Sequence, residues 1–300
     1  MFRLNQVSKS YHEVLAIEDL TFEVKPNELL GFIGPDGSGK TTLFRILATL
    51  LLPDQGKITY GQYDLVKDYQ QIRPRLGYMP GRFSLYPDLT VEENLNFFAT
   101  LYGTSIAQNY DLIDDIYVQL EPFANRPAGK LSGGMKQKLA LCCALVHRPE
   151  VLILDEPTTG VDAVSRKEFW MLLKKLQHQG VTILVSTPYM DEASLCDRVI
   201  LMQKGKILST DTPTGLIAKY PENLYAALGE NIYSLKKALA SMPECKTAYL
   251  SGRKVHFTIA NGYGVSDITR GLNQRGISQI TIERMEPTVE DCFIYYMQHE

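Results

Sequence analysis

The stretch Gly34-Pro35-Asp36-Gly37-Ser38-Gly39-Lys40-Thr41-Thr42 constrains this chain more than any other. It follows a short apolar run, Leu29–Ile33, and precedes Leu43, Ile46, Leu47 and Leu50 at helical spacing, with Pro53 as a stop. A glycine-rich turn between a buried strand and a helix, in the pattern G-x-x-x-x-G-K-[ST], is a phosphate-binding P-loop. The three glycines allow backbone angles that a β-carbon forbids, so successive N–H groups turn inward and form an anion-binding concavity. The helix beyond Gly39 aims its unpaired N–H groups at the same place. Lys40 is then expected to reach the β- and γ-phosphates of a nucleotide, and the Thr41 hydroxyl to hold Mg²⁺.

Three hundred residues suit one large domain, or one with a small appendage. The formal net charge of -3 argues against a nucleic-acid partner, which usually demands a basic excess. No apolar run approaches the ~20 residues that span a bilayer, and Met1–Asn5 does not open a signal peptide. A cytoplasmic location is expected, with any membrane crossing left to another chain. The five cysteines, Cys142, Cys143, Cys196, Cys245 and Cys292, match no metal or redox spacing and read as reduced structural thiols.

Along the chain, residues 1–25 read as two or three strands, with Tyr11 before a turn. Tyr11 is either an ordinary surface residue or a platform for a flat base. Thr90 with Glu93 three residues on is a capping box that starts a helix, and Asp111–Leu120 reads as a second. This helical block, about residues 88–148, interrupts an α/β pattern and is expected to be an inserted subdomain. Within it, Leu131-Ser132-Gly133-Gly134-Met135 precedes another apolar helix. That segment is either a plain N-cap or a second phosphate grip. Val151–Leu154 is an unbroken apolar run, hence a central parallel strand, ending in Asp155 and Glu156. Ligands in such sheets sit beyond the strands' carboxyl ends, where the P-loop also lies. Asp155 is placed to hold Mg²⁺ and Glu156 to orient or deprotonate a water. A second buried strand, Val181–Ser186, a short helix after Pro188 and a hairpin turned at Lys204-Gly205 complete the core. Residues 221–300 read as βαββαβ, the ferredoxin-like order, with a closing helix. A regulatory or dimerising role and a passive structural one are both open for it.

With these motifs in this order, the chain resembles the nucleotide-binding subunit of an ATP-binding-cassette (ABC) transporter over residues 1 to about 220. Gly34–Thr42 is similar to that family's Walker A and Val151–Glu156 to its Walker B. Leu131–Met135 resembles the signature loop, Asp162 in Gly160-Val161-Asp162 the D-loop, and Tyr11 the adenine-stacking aromatic. The resemblance implies an α/β, P-loop NTPase core of ABC type with a β subdomain and an inserted helical subdomain, joined to a small α+β ferredoxin-like domain. It implies ATP and Mg²⁺ as cofactors. It also implies two such domains packed head to tail, the signature loop of one gripping the ATP on the other's P-loop. Transmembrane permease subunits would complete the assembly, placing the chain on the inner face of the cell membrane. The C-terminal extension, closing in Glu286–Asp291, is similar to that of stand-alone ATPases serving exporters.

Two positions depart from the family pattern. After Leu76–Pro80 the family has Gln, and here Gly81 stands; after Ser186-Thr187 it has His, and here Pro188 stands. Glycine has no side chain and proline no donor. Losing one well-placed charge-stabilising donor typically costs ~10²–10³ in rate. The expectation is ATP binding with slow turnover at this P-loop, in an asymmetric pair with a second ATPase. The alternatives are a hydrolytically competent homodimer and a regulatory or non-transport ABC ATPase.

Overall fold

The computed structural model describes residues 1–82 and 84–299. Its contacts form two units, Met1–Thr214 with the residues from Tyr296 on, and Gly215–Tyr295. The sequence pattern and Pro221 put the junction at 220/221, and the contact division falls six residues earlier.

The first unit begins with the antiparallel hairpin β1 (Phe2–Tyr11) and β2 (Val14–Glu23), two strands rather than three. Then come β3 (Leu29–Ile33), α1 (Lys40–Leu47), β4 (Gln55–Tyr60), β5 (Tyr63–Asp64), α2 (Tyr69–Ile72) and β6 (Leu76–Met79). Helices α3 (Val91–Leu101), α4 (Tyr110–Tyr117) and α5 (Gly133–Leu145) precede β7 (Val151–Asp155), α6 (Ala163–His178) and β8 (Thr182–Thr187). Strands β9 (Arg198–Gln203) and β10 (Lys206–Asp211) follow, and helix α7 (Pro213–Ala218) begins at the end of this unit and continues in the second. One sheet has the order β2-β1-β4-β5 and is antiparallel. The other has the order β10-β9-β3-β8-β7-β6, parallel except for β10.

One apolar core joins both sheets to α1. Phe2, Val7 and Ile17 come from the first sheet, Leu43, Phe44 and Leu47 from α1, and Phe32, Ile153 and Ile200 from the second. Phe32 and Phe44 meet edge to face at 5.1 Å. The fully buried runs of β3, β7 and β8 have no polar face because both sides of that sheet are covered.

The insert starts as its sequence dictates. Thr90 Oγ1 accepts from the Glu93 N–H at 3.2 Å and Glu93 returns to the Thr90 N–H at 2.8 Å. Asn94, fully buried, accepts from the Tyr86 N–H and donates to the Tyr86, Leu89 and Thr90 carbonyls, so one amide sets the loop before α3. Two expectations are corrected. Helix α1 stops at Leu47 rather than continuing to Leu50, because Thr49 turns to positive φ (59°) and Arg73 binds its carbonyl and hydroxyl. The helix after Pro188 is a 3₁₀ segment, Met190–Leu195.

The second unit contains β11 (Leu224–Leu228), α8 (Ile232–Ala240), β12 (Cys245–Ser251), β13 (Lys254–Ile259), α9 (Val265–Gln274) and β14 (Thr281–Met285). Helix α10 (Val289–Gln298) closes the chain. The sheet order β12-β13-β11-β14, antiparallel throughout, is the ferredoxin-like arrangement. Leu235, Leu239, Phe257, Ile268 and Leu272 form its core. Asp291, fully buried at the start of α10, accepts from Tyr249 Oη at 2.7 Å and from Thr288 N–H and Oγ1 at 2.7 Å, and lies 2.6 Å from His256 Nδ1.

Candidate functional site

Strand register brings the motifs to one end of the parallel sheet. Ile33 pairs with Thr187, Asp155 with Ser186, and Met79 with Leu154. The segments after β3, β8, β7 and β6 therefore emerge together: the P-loop, Pro188, Glu156 and Gly81.

The P-loop is shaped by close backbone approach. A β-carbon on Gly34 would lie 2.2 Å from the Met202 carbonyl oxygen. One on Gly39, at φ +101°, would lie 2.5 Å from the Ala16 oxygen, so both glycines are required. Lys40, 3% exposed, donates to the Gly34 carbonyl at 2.7 Å and the Pro35 carbonyl at 2.9 Å, and lies 3.7 Å from Glu156 Oε1. Burial pulls its ammonium below the ordinary lysine range, partly offset by the nearby Glu156, Asp36 and Asp155 carboxylates.

A cavity of about 460 Å³ lies over this loop, lined by Asp36, Gly37, Ser38, Gly39, Lys40, Thr41, Thr42, Glu156 and Tyr11. Gly34 and Pro35 contribute their carbonyls to Lys40 instead. Sequence reasoning missed Val14, Leu15 and Ala16 on the same wall. They belong to the β1–β2 hairpin, whose Tyr11↔Val14 pairing places them beside Tyr11. Tyr11, Val14 and Leu15 are 41%, 68% and 43% exposed, an apolar patch beside the P-loop. Three consecutive small or apolar residues after a turn were the available signal.

Below the cavity, Thr41 Oγ1 donates to Asp155 Oδ1 at 3.2 Å. Ser186, fully buried, donates to the same oxygen at 2.7 Å and accepts the Glu156 N–H at 2.9 Å. Ser186 thus fixes both carboxylate residues from the neighbouring strand. Only its place at the end of β8 hinted at this in sequence. Glu156 itself sits at φ +50°.

The signature segment lies elsewhere. None of Leu131, Ser132, Gly133, Gly134 and Met135 lines the cavity. Ser132 Oγ caps α5 by accepting the Met135 N–H at 3.3 Å. A β-carbon on Gly134 would stand 2.9 Å from Ser165 Oγ, so this loop packs against the start of α6. Asp162 caps that helix, accepting from Val164 N–H at 3.1 Å and from Ser165 N–H at 3.0 Å. The Ser165 donors hold its carboxyl below the usual range. Among the described residues, no helix is long and apolar enough to cross a membrane, and no three metal-ligating side chains cluster.

Comparison with known proteins finds the family described as ABC transporter over residues 17–159. The probable multidrug ABC transporter ATP-binding protein YbhF of Escherichia coli (strain K12) is 39% identical over 284 residues, 93% of this chain and 48% of that protein. The chain therefore spans about half the length of that relative. The Nod factor export ATP-binding protein I of Paraburkholderia xenovorans (strain LB400) is 40% identical over 217 residues, 71% of each chain. Among solved structures, an ATP-binding subunit of an ABC transporter is 28% identical with a TM-score of 0.67, covering 73% of this chain and 93% of that one. A dimeric ATP-binding cassette in a post-hydrolysis state, bound to ADP and Pi, is 27% identical with a TM-score of 0.64, covering 71% and 98%. By its P-loop, its parallel sheet and these relatives, the chain belongs to the ATP-binding proteins of ABC transporters.

Proposed function

We propose that this chain binds ATP in the Tyr11–Lys40–Glu156 cavity, turns it over slowly there, and drives export through separate membrane subunits. Lys40 exchanges its Gly34 and Pro35 carbonyls for phosphate oxygens, Tyr11 stacks on the base, and Glu156 accepts the proton of the attacking water. Thr41 and Asp155 fit Mg²⁺, because they present hard oxygens 3.2 Å apart beside the phosphate cradle. Bound there, the ion would neutralise charge on the β- and γ-phosphates.

The observation that carries slow turnover is the pair Gly81 and Pro188. Both stand where β6 and β8 deliver the chain to the site, and neither can place a side-chain donor on the γ-phosphate or the water. A β-carbon at 81 would lie 3.0 Å from the Asp155 carbonyl, so the local packing is tight around a glycine. The chain's Ser132-Gly133-Gly134, exposed at its first two residues, then serves the ATP on a second ATPase, whose own P-loop site does the faster chemistry. An apolar groove of about 470 Å³, with Leu50, Leu85, Phe98, Leu101 and Tyr102 among its walls, supports docking of a permease segment. The name of the Nod factor relative supports export as the direction.

The test compares steady-state ATPase of this protein alone, of Pro188→His with Gly81→Gln, and of the protein mixed with the ATPase that co-purifies with it from membranes. Expected are slow turnover alone, a gain of ~10²-fold in the double variant and brisk turnover in the mixture. Brisk turnover by the unmodified protein alone refutes the asymmetric reading.

A further inference from the structure

Glu192 is 2% exposed, yet it belongs to no motif. Its Oε2 accepts from Thr158 Oγ1 at 3.1 Å, and Thr158 is itself 1% exposed. Its Oε1 has no hydrogen-bond partner among the described residues and lies 3.7 Å from Arg166 Nε. Arg166 in turn reaches Asp191 at 3.4 Å and covers the Tyr189 ring at 4.8 Å. Taking a carboxylate out of water costs several kcal/mol, and one hydroxyl with one loose ion pair returns only part of that. Stability alone does not account for a carboxylate at this place.

The turn that Thr158 anchors carries Glu156. A non-glycine residue at φ +50° costs about 1–3 kcal/mol and persists only where its surroundings over-determine it. The Glu156 N–H is held by the Ser186 carbonyl at 3.1 Å as well as by its hydroxyl. The Glu156 carbonyl accepts the Thr159 N–H at 3.2 Å, and Glu156 Oε2 accepts from Thr159 Oγ1 at 3.4 Å. Positions 81 and 188 contribute no polar side chain to this carboxylate.

We propose that Glu192 is a positioning residue for hydrolysis: through Thr158 it fixes the Glu156–Thr159 turn, so that the Thr159 hydroxyl and Lys40 aim the Glu156 carboxylate into the phosphate cavity. Glu192 acts on the turn that carries Glu156, where Gly81 and Pro188 offer no polar side chain. The proposal rests on the reading of Glu156 as the group that activates water.

The experiment is single-turnover hydrolysis of radiolabelled ATP with Mg²⁺ and the full chain in excess, with ATP affinity measured in parallel. Thr158→Val and Glu192→Met each slow the hydrolytic step about tenfold or more, since small misplacements of reacting groups carry such costs. ATP affinity stays within about twofold, as expected when only an interaction specific to the transition state is lost. Thr158→Ser keeps the parental rate, and the double variant is no slower than the slower single one. Parental rate in Thr158→Val, an equal loss in Thr158→Ser, or a rate loss matched by weaker ATP binding each overturns the proposal. If Glu192→Met fails to fold, the two Thr158 variants decide alone. Glu156→Gln runs beside them: parental rate in that variant removes Glu156 from the mechanism, a failure distinct from that of Glu192.

Discussion

Replacing Ser186 by alanine tests how much of the site is held together by one hydroxyl. The hydroxyl is fully buried and makes two bonds, to Asp155 Oδ1 at 2.7 Å and from the Glu156 N–H at 2.9 Å. Alanine leaves the Glu156 N–H with the Ser186 carbonyl at 3.1 Å and leaves Asp155 Oδ1 with the Thr41 hydroxyl at 3.2 Å. The net loss is one hydrogen bond to a charged acceptor, about 2 kcal/mol. The assay is urea unfolding followed by the fluorescence of Trp170, the single tryptophan, which lies 3% exposed in the same unit as the site. With a slope of roughly 2–3 kcal/mol per molar urea, the midpoint falls by about 0.7–1 M and the slope is unchanged. A midpoint shift under about 0.2 M would show that Ser186 does not hold the two carboxylates.

Tyr11→Ala removes the proposed base platform but no phosphate contact. ATP affinity falls roughly 5- to 150-fold, the range for ~1–3 kcal/mol of stacking on one base, while competition by inorganic tripolyphosphate is unchanged; equal losses for both ligands refute the role. In the second unit, burial alone would raise the Asp291 carboxyl, but donors from His256, Thr288 and Tyr249 outweigh it and hold the group below its ordinary 3.8. The unfolded chain then binds the proton first, so the stabilisation is complete above pH 3.8 and is lost as pH falls through the depressed value. Acid unfolding followed by tyrosine circular dichroism in the near ultraviolet shows this limb in the parent and loses it in Asp291→Asn.

What was legible in sequence is what local patterning dictates. The unbroken apolar runs of β3, β7 and β8 announce strands covered on both faces, and the Thr90–Glu93 pair announces α3. The Lys204-Gly205 turn, with both residues at positive φ, is the twist that a tight hairpin needs. The P-loop residues, Asp155 and Glu156 could be placed together because strands of one parallel sheet end on one side. The contacts that organise the site were not legible. Ser186 reaches Asp155 across 31 residues and Glu192 reaches Thr158 across 34, and nothing in either local sequence announces the partner. Thr49 illustrates the same limit for the fold, since Arg73, distant in sequence, decides where α1 ends. Of the two readings of Ser132, the structure shows the helix cap, with Ser132 and Gly133 exposed at the start of α5.

The glycines of the phosphate cradle have unequal freedom to vary. Gly34 and Gly39 are pinned by oxygens of other segments, Met202 and Ala16, and any side chain there would push the β1–β2 hairpin and the end of β9 out of place. Gly37, at φ +78°, has nothing within 4 Å of where a β-carbon would stand. Its only demand is the left-handed backbone, which asparagine tolerates better than most residues. Drift in this loop is therefore open at its tip and closed at its two ends. The boundary between the two is drawn by the neighbouring strands rather than by the nucleotide.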